Sequence, residues 1–153
     1  MAETVSTAPF LPADSDATPT LSVVLPTKNE AAAIEPCLNA IRETVTNLGI
    51  PTEVIVSDSS TDETAAIARD HGAIVLTPDQ PGYGYAYRYA FEHVRGKYIV
   101  IGDADTTYDF REVPRLLEPL SEDEADLVIG SRFRGEIKSG AMPRLHQYVG
   151  NPV

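Results

Sequence analysis

The chain has 153 residues and a mass of 16.6 kDa, the size of a single domain. Hydrophobic residues make up 42% and charged residues 23%, which permits a packed core and excludes wholesale disorder. The net charge of −11 argues against nonspecific nucleic-acid binding, and a lone cysteine, Cys37, excludes an intramolecular disulfide or a Cys-based zinc site and fits a reducing compartment.

Residues 1–20 hold three prolines, six Ser/Thr, three acids and no bases, a composition that predicts a disordered tail ahead of a domain over 21–153. With no Lys or Arg and no apolar core, this start does not read as a secretory signal. No apolar run approaches the roughly 18 residues that cross a bilayer.

Five short apolar runs follow: Leu21–Leu25, Glu53–Ser57, Ala73–Leu76, Tyr98–Gly102 and Asp126–Gly130. Their nearly continuous apolar character predicts strands covered on both faces. Between them, Ile34, Leu38, Ile41, Val45 and Leu48 repeat at helical spacing, with Pro36 in the first turn. Ser60 and Glu63 read as a capping box for a second helix, ended by Gly72. A third helix is expected over Gly84–Val94, closed by Gly96, and a fourth over Phe110–Leu120 with Pro114 near its start. Alternating strand and helix predicts a mostly parallel α/β sheet with helices on both faces, and ligands then bind beyond the carboxyl ends of the strands.

Polar segments sit at those ends: Pro26-Thr-Lys-Asn-Glu30, Ser57-Asp-Ser-Ser-Thr-Asp62, Gly102-Asp-Ala-Asp105 and Gly130-Ser-Arg-Phe-Arg134. Any one of them reads equally as a solvated loop; convergence of four on one edge predicts a ligand site. Asp103 and Asp105 alternate after a buried strand, so two carboxylates can face one zone and suit a hard cation such as Mg²⁺ or Mn²⁺. The tripeptide alone carries little, because Asp14-Ser-Asp16 repeats it in the tail. Asp58 can accept from a base or ribose. Asp62 reads better as a helix-terminus carboxylate, and Asn29 equally as a cap. Pro81-Gly-Tyr-Gly-Tyr-Ala86 opens the third helix with glycines that permit close backbone approach, yet it is neither a P-loop nor a dinucleotide fingerprint. Tyr83, Tyr85, Tyr87 and Tyr89 alternate there, reading as packing or as a ring stacked on a base. His71, His93 and His146 show no ligand spacing. Residues 131–153 hold Arg132, Arg134, Lys138 and Arg144 against Glu136, a net of +3, which leaves −14 on the rest. That basic end suits an anion or an anionic membrane surface, with chance clustering the alternative.

With these motifs in this order, the sequence resembles the family 2 glycosyltransferases of GT-A fold. Within them it resembles the dolichyl-phosphate or polyprenyl-phosphate mannose and glucose synthases. The resemblance runs from about Leu21 to Pro152 and rests on Val24–Glu30, Val56–Thr64, Pro81–Gly84, Gly102–Asp105 and Gly130–Arg134. It implies an α/β, Rossmann-like GT-A nucleotide-sugar-binding fold. It implies that Pro26, Thr27, Asn29, Glu30, Asp58, Gly82 and Asp103 bind the nucleotide sugar. Asp103, Asp105 and Arg132 would be catalytic, Asp105 would hold the divalent cation, and Arg132 and Arg144 would meet an acceptor phosphate. Relatives often have Gly where Ser59 stands. Some phosphomannose synthases carry a metal-binding Gln where this chain has Thr107, with Asp109 the other oxygen donor nearby.

Relatives also continue well past Gly150-Asn-Pro152, so a chain ending at Val153 is expected to be a C-terminally incomplete fragment. The expected activity is metal-dependent, inverting transfer of a hexose from a UDP- or GDP-linked donor to a lipid phosphate, at the cytoplasmic face of a membrane. A noncatalytic nucleotide-sugar-binding scaffold, or a transferase for a soluble or polysaccharide acceptor, is the alternative. A sugar-phosphate nucleotidyltransferase would need a Gly-rich basic loop after the first strand, which Pro26-Thr-Lys-Asn29 is not.

Overall fold

The structure is a computed structural model and describes residues 10–131. Strands β1 (Leu21–Thr27), β2 (Thr52–Asp58), β3 (Ile74–Leu76) and β4 (Tyr98–Ile101) form one parallel sheet in the order β3-β2-β1-β4. Helices α1 (Ile34–Leu48), α2 (Thr64–Asp70), α3 (Tyr83–Phe91) and α4 (Val113–Ser121) connect and follow them, and a 3₁₀ turn over Phe110–Glu112 leads into α4.

Side chains alternate across a strand, so β1 supplies two separate cores. Leu21, Val23 and Leu25 face α1, α2 and α4, packing with Ile34, Leu38 and Ile41 of α1, Ala68 of α2 and Val113 and Leu117 of α4. Val24 faces the other way and packs with Ile55 of β2 and Ala90 of α3. Helices therefore cover both faces, as expected. Each aliphatic side chain buried this way contributes about 1.5–3 kcal/mol. The first helix runs over the residues its spacing predicts. It ends at Gly49, whose φ of +66° is the left-handed conformation that glycine adopts without steric cost.

At the amino edge of the sheet the chain is clamped by a buried charge. Glu53 is 0% exposed. It accepts from Ser22 Oγ at 2.6 Å and from Arg95 N at 2.8 Å and Nε at 3.0 Å. The same guanidinium donates to the carbonyls of Ser15 and Pro12 at 3.0 and 2.9 Å. A buried carboxylate is tolerated because every available lone pair meets a donor.

Four expectations are corrected. Residues 10–20 are not a free tail: Phe10 is buried in the core beneath the Arg42 guanidinium, and Leu11 N donates to Thr52 O at 2.8 Å. Composition could not reveal this, since one aromatic ring and Arg95 do the anchoring. Residues 1–9 lie outside the described residues. The run Asp126–Gly130 forms no strand; Leu127 and Ile129 are 75% and 79% exposed. A strand needs a hydrogen-bonded neighbour, and among the described residues none pairs with the outer edge of β4. Ser60 and Glu63 form no capping box, because the Ser60 hydroxyl is engaged by Asp58 instead. Gly96 does not close α3, which ends at Phe91. A Cβ there would lie 2.6 Å from the Ser22 backbone nitrogen, so Gly96 lets the chain pass against β1.

Arg95→Ala leaves Glu53 buried without its cation, and stability should fall by about 3 kcal/mol in denaturant unfolding, with the bonds near Pro12 becoming readily cleaved by protease. An unchanged midpoint would show that the clamp is not a significant stabiliser.

Candidate functional site

Strand register decides where the polar ends land. Thr27 pairs with Asp58 across β1 and β2, and Val24 pairs with Ile101 across β1 and β4. All three strands run the same way. Asp58, the loop after Thr27 and the segment from Gly102 therefore leave the sheet at one edge.

Hydrogen bonds stitch the first two loops together. Thr27 Oγ1 donates to Asp58 Oδ1 at 2.6 Å, and Ser59 N donates to Thr27 O at 3.0 Å. Ser60 Oγ donates to Asp58 Oδ1 at 2.5 Å and accepts from Asn29 N at 2.7 Å. Asn29 sits at φ +59°, a left-handed conformation that Asn tolerates better than most residues, and its Oδ1 accepts from the N–H groups of Thr61 and Asp62 at 2.9 and 3.3 Å. Asn29 is thus a cap, but for the loop after β2 and not for α1, whose amino end follows Ala33. Asp62 Oδ1 accepts from Thr64 N and Oγ1 at 2.9 and 2.5 Å, and these bonds hold its pKa below the usual carboxylate value. Its Oδ2 also accepts from Ala31 N at 3.4 Å, so Asp62 shapes its own loop and ties it to the one after β1. Glu30 N is bonded to Thr64 Oγ1 at 2.9 Å, and Pro26 is half-buried at the last turn of the strand.

Beyond β4 the chain is held from beneath. A Cβ at Gly102 would lie 2.8 Å from Phe110 Cζ, so the backbone rests on that ring. Asp103 is half-buried and Asp105 exposed, with Ala104 between them buried. Asp103 Oδ1 accepts from the Tyr83 hydroxyl at 2.7 Å, which brings the start of α3 to the same place. Gly82 turns the chain into that helix at φ +126°. Asp105 Oδ1 accepts from Thr107 N at 3.0 Å, so Thr107 meets Asp105 through its amide. Between them Thr106 has φ +68°, a conformation a β-branched residue rarely adopts. Asp109 is already used: it caps the 3₁₀ turn through Arg111 N at 3.0 Å and pairs with Arg111 Nε at 3.2 Å.

The charges interact. Partial burial pushes the Glu30 pKa above the usual carboxylate value, and the fields of Asp105, Asp103 and Asp62 push it further. Below, burial lifts the Cys37 thiol to about 12, with Asp105 adding to the effect, so Cys37 is an inert core residue. His71 and His93 bond to backbone carbonyls near the ends of α2 and α3, at 2.9 and 3.0 Å.

The structure therefore brings Pro26, Thr27, Asn29, Glu30, Asp58, Gly82, Asp103, Asp105 and Thr107 to one edge. Arg132 and Arg144, with the rest of the basic segment after Ser131, lie outside the described residues. Sequence reasoning did not place Ser60 or Thr64 in these loop contacts, and it read Tyr83 as packing or a stacked ring; nothing in a one-dimensional pattern points its phenol at Asp103. No group of three or more His, Cys, Asp or Glu among the described residues forms a metal cage. The donor set at Asp103 and Asp105 is instead one or two carboxylates on an open edge. That fits a cation which completes its shell with diphosphate and water.

Comparison with known proteins points one way. The Glycosyl transferase family 2 model matches residues 22–152. The low-salt glycan biosynthesis hexosyltransferase Agl6 of Haloferax volcanii is 55% identical over 144 residues, covering 94% of this chain and 35% of that protein. Glycosyltransferase AglJ of the same organism is 36% identical over 132 residues, covering 86% of this chain and 41% of its own. Glucosyl-3-phosphoglycerate synthase from Mycobacterium tuberculosis, solved with Mn²⁺, UDP and glucosyl-3-phosphoglycerate, superposes with a TM-score of 0.57 at 35% identity, covering 67% of this chain and 39% of that one. Mannosyl-3-phosphoglycerate synthase from Rubrobacter xylanophilus gives 0.58 at 29% identity, covering 67% and 36%. The chain thus spans well under half the length of these relatives.

Because the Glu30 pKa is raised on folding, the folded state keeps that proton to higher pH, and stability falls as pH climbs through the carboxylate range. Glu30→Gln should raise the melting temperature at pH 7 in low salt, and the gain should vanish below about pH 4, where the unfolded carboxyl is also protonated. Melts at both pH values test this; a lower melting temperature for the variant at pH 7 contradicts it.

Proposed function

The chain belongs to glycosyl transferase family 2, and from that premise we propose that it binds a UDP- or GDP-linked hexose at the carboxyl edge of its sheet for transfer to a phosphate acceptor. One observation carries the reading: Asp103 and Asp105 leave β4 on the edge where Thr27 holds Asp58.

In this reading Pro26, Thr27, Asn29, Glu30, Asp58 and Gly82 form the nucleoside and sugar side of the pocket. Asp58 is already orientated, since Thr27 and Ser60 occupy one of its oxygens. Asp103 accepts from the ribose, and Asp105, with Thr107 beside it, faces the diphosphate. Bound there, Mg²⁺ or Mn²⁺ would supply charge neutralisation for the departing diphosphate. The need for a cation follows from the charges present, because an anionic donor must approach Glu30, Asp62, Asp103 and Asp105 together. The solved synthase with Mn²⁺ and UDP supports this choice.

In the transfer, an acceptor phosphate oxygen bonds to the anomeric carbon while the bond to the nucleoside diphosphate breaks, the electron pair leaving with the diphosphate and the configuration inverting. A phosphate with a second pKa near 6 is mostly dianionic at neutral pH and requires no protein base. Arg132, with Arg144, holds that phosphate through paired hydrogen bonds. A polyprenyl phosphate at the cytoplasmic face of a membrane, contacted through the basic segment after Ser131, is the acceptor this reading favours. A second reading takes a soluble phosphorylated acid, and it is favoured by the same synthase solved with phosphoglyceric acid. Radiolabelled hexose transfer to dolichyl phosphate or to 3-phosphoglycerate separates the two.

Asp105→Ala should abolish metal-dependent binding of UDP- or GDP-hexose in calorimetric titration while leaving the melting temperature unchanged, since Asp105 is exposed. Unaltered affinity in excess Mg²⁺ or Mn²⁺ would remove Asp105 from the site. In a protein that turns over, Arg132→Ala should weaken use of acceptor at least tenfold more than donor binding, the scale of a lost charge-assisted pair. Equal loss of both would contradict an acceptor role.

A further inference from the structure

Tyr83 and Tyr87 stand one turn apart on α3, ring centroids 5.2 Å apart and edge to face. Their hydroxyls reach successive residues of the loop after β4. Tyr83 donates to Asp103 Oδ1 at 2.7 Å, while Tyr87 donates to the Gly102 carbonyl at a longer 3.4 Å. Gly102 also rests on the Phe110 ring. The backbone that carries Asp103 is therefore contacted by Tyr87 and Phe110, and the side chain itself is held by one phenol.

Tyr83 is 62% exposed, so packing does not explain why a tyrosine stands there. Its ring packs edge to face on Tyr87; its hydroxyl donates to Asp103 and lies 3.4 Å from the Tyr87 hydroxyl. Partial burial and the nearby Asp103 carboxylate both raise the Tyr83 pKa, and the phenol stays a proton donor at neutral pH. A carboxylate fixed at one oxygen by a donor presents the other in a defined direction, without the rotational freedom that a ligand would otherwise have to remove.

We propose that Tyr83 is a positioning residue for the donor: its hydroxyl holds Oδ1 of Asp103 so that Oδ2 is directed at the hydroxyls of the ribose. The inference rests on the donor reading given above. Tyr83 touches Asp103 and acts through it, so its loss should be felt only by ligands that carry the ribose hydroxyls.

The test is calorimetric titration of the full chain with UDP and GDP, each beside its 2′,3′-dideoxy counterpart, in excess Mn²⁺. The wild-type chain is expected to prefer the ribonucleotide. Tyr83→Phe keeps the ring and its edge-to-face packing on Tyr87, and gives up the bond to Asp103 with the longer 3.4 Å contact to the Tyr87 hydroxyl. It should weaken ribonucleotide binding about tenfold, the size of one hydrogen bond to a charged group, and leave the dideoxy compound unaffected. Tyr85→Phe, which loses only a bond to Asp79 on another side of α3, should change neither. Equal weakening of both nucleotides by Tyr83→Phe would reduce Tyr83 to a structural role and overturn the proposal, as would full retention of the ribose preference. A wild-type chain that binds neither nucleotide defeats the donor reading and this inference with it, an outcome distinct from failure of the variant alone.

Discussion

Parallel pairing of β1 with both β2 and β4 is the constraint from which the site follows. Had either neighbour run antiparallel, its polar end would lie at the far edge of the sheet, some seven residues away from Thr27. With all strands aligned, Asp58 falls opposite Thr27 and Gly102 falls just past Val24. The fold costs nothing extra for this convergence, because β1 is already covered on both faces by apolar packing. The loops are then free to carry charge.

The carboxylates gathered there are not equivalent. Asp58 and Asp62 are satisfied by hydroxyls and backbone N–H groups, so their geometry is set before any ligand arrives. Among the described residues Asp103 has one phenolic partner and Asp105 one amide partner, which leaves each an oxygen to offer. Glu30 carries the electrostatic consequence, its proton held more tightly as the fields of its neighbours add. An edge built this way repels an anion and attracts a cation, and the proposed nucleotide diphosphate donor, arriving with a divalent ion, would reconcile both.

The opposite edge serves stability. There Glu53, Ser22 and Arg95 tie β1 to β2, and Arg95 also holds the segment from Pro12 to Ser15 against the domain. A buried charge of this kind is weak evidence of a net gain in stability, but its partners cannot be removed singly without cost. Separating the clamp from the functional edge by the length of the sheet lets the loops beyond Thr27, Asp58 and Gly102 stay open to a ligand.

Local order was legible in the amino-acid sequence wherever one chemical period sufficed. The apolar runs at Leu21, Glu53, Ala73 and Tyr98 mark real strands, and the spacing from Ile34 to Leu48 marks the first helix to its ends. The motif order placed Asp58, Asp103 and Asp105 at strand ends, and parallel topology then brought them together. What only tertiary structure decided was each group's partner. Asp126–Gly130 has the composition of a strand but no neighbour to pair with among the described residues, and Ser60 has the spacing of a cap but is claimed by Asp58. Phe10 looked like part of a loose tail until the core and the Arg42 guanidinium received it. Tyr83 belongs to an alternating aromatic run whose meaning depends on the loop after β4 lying within reach. Periodicity records which face a residue presents; it holds no record of what another segment, dozens of residues away, will set against that face.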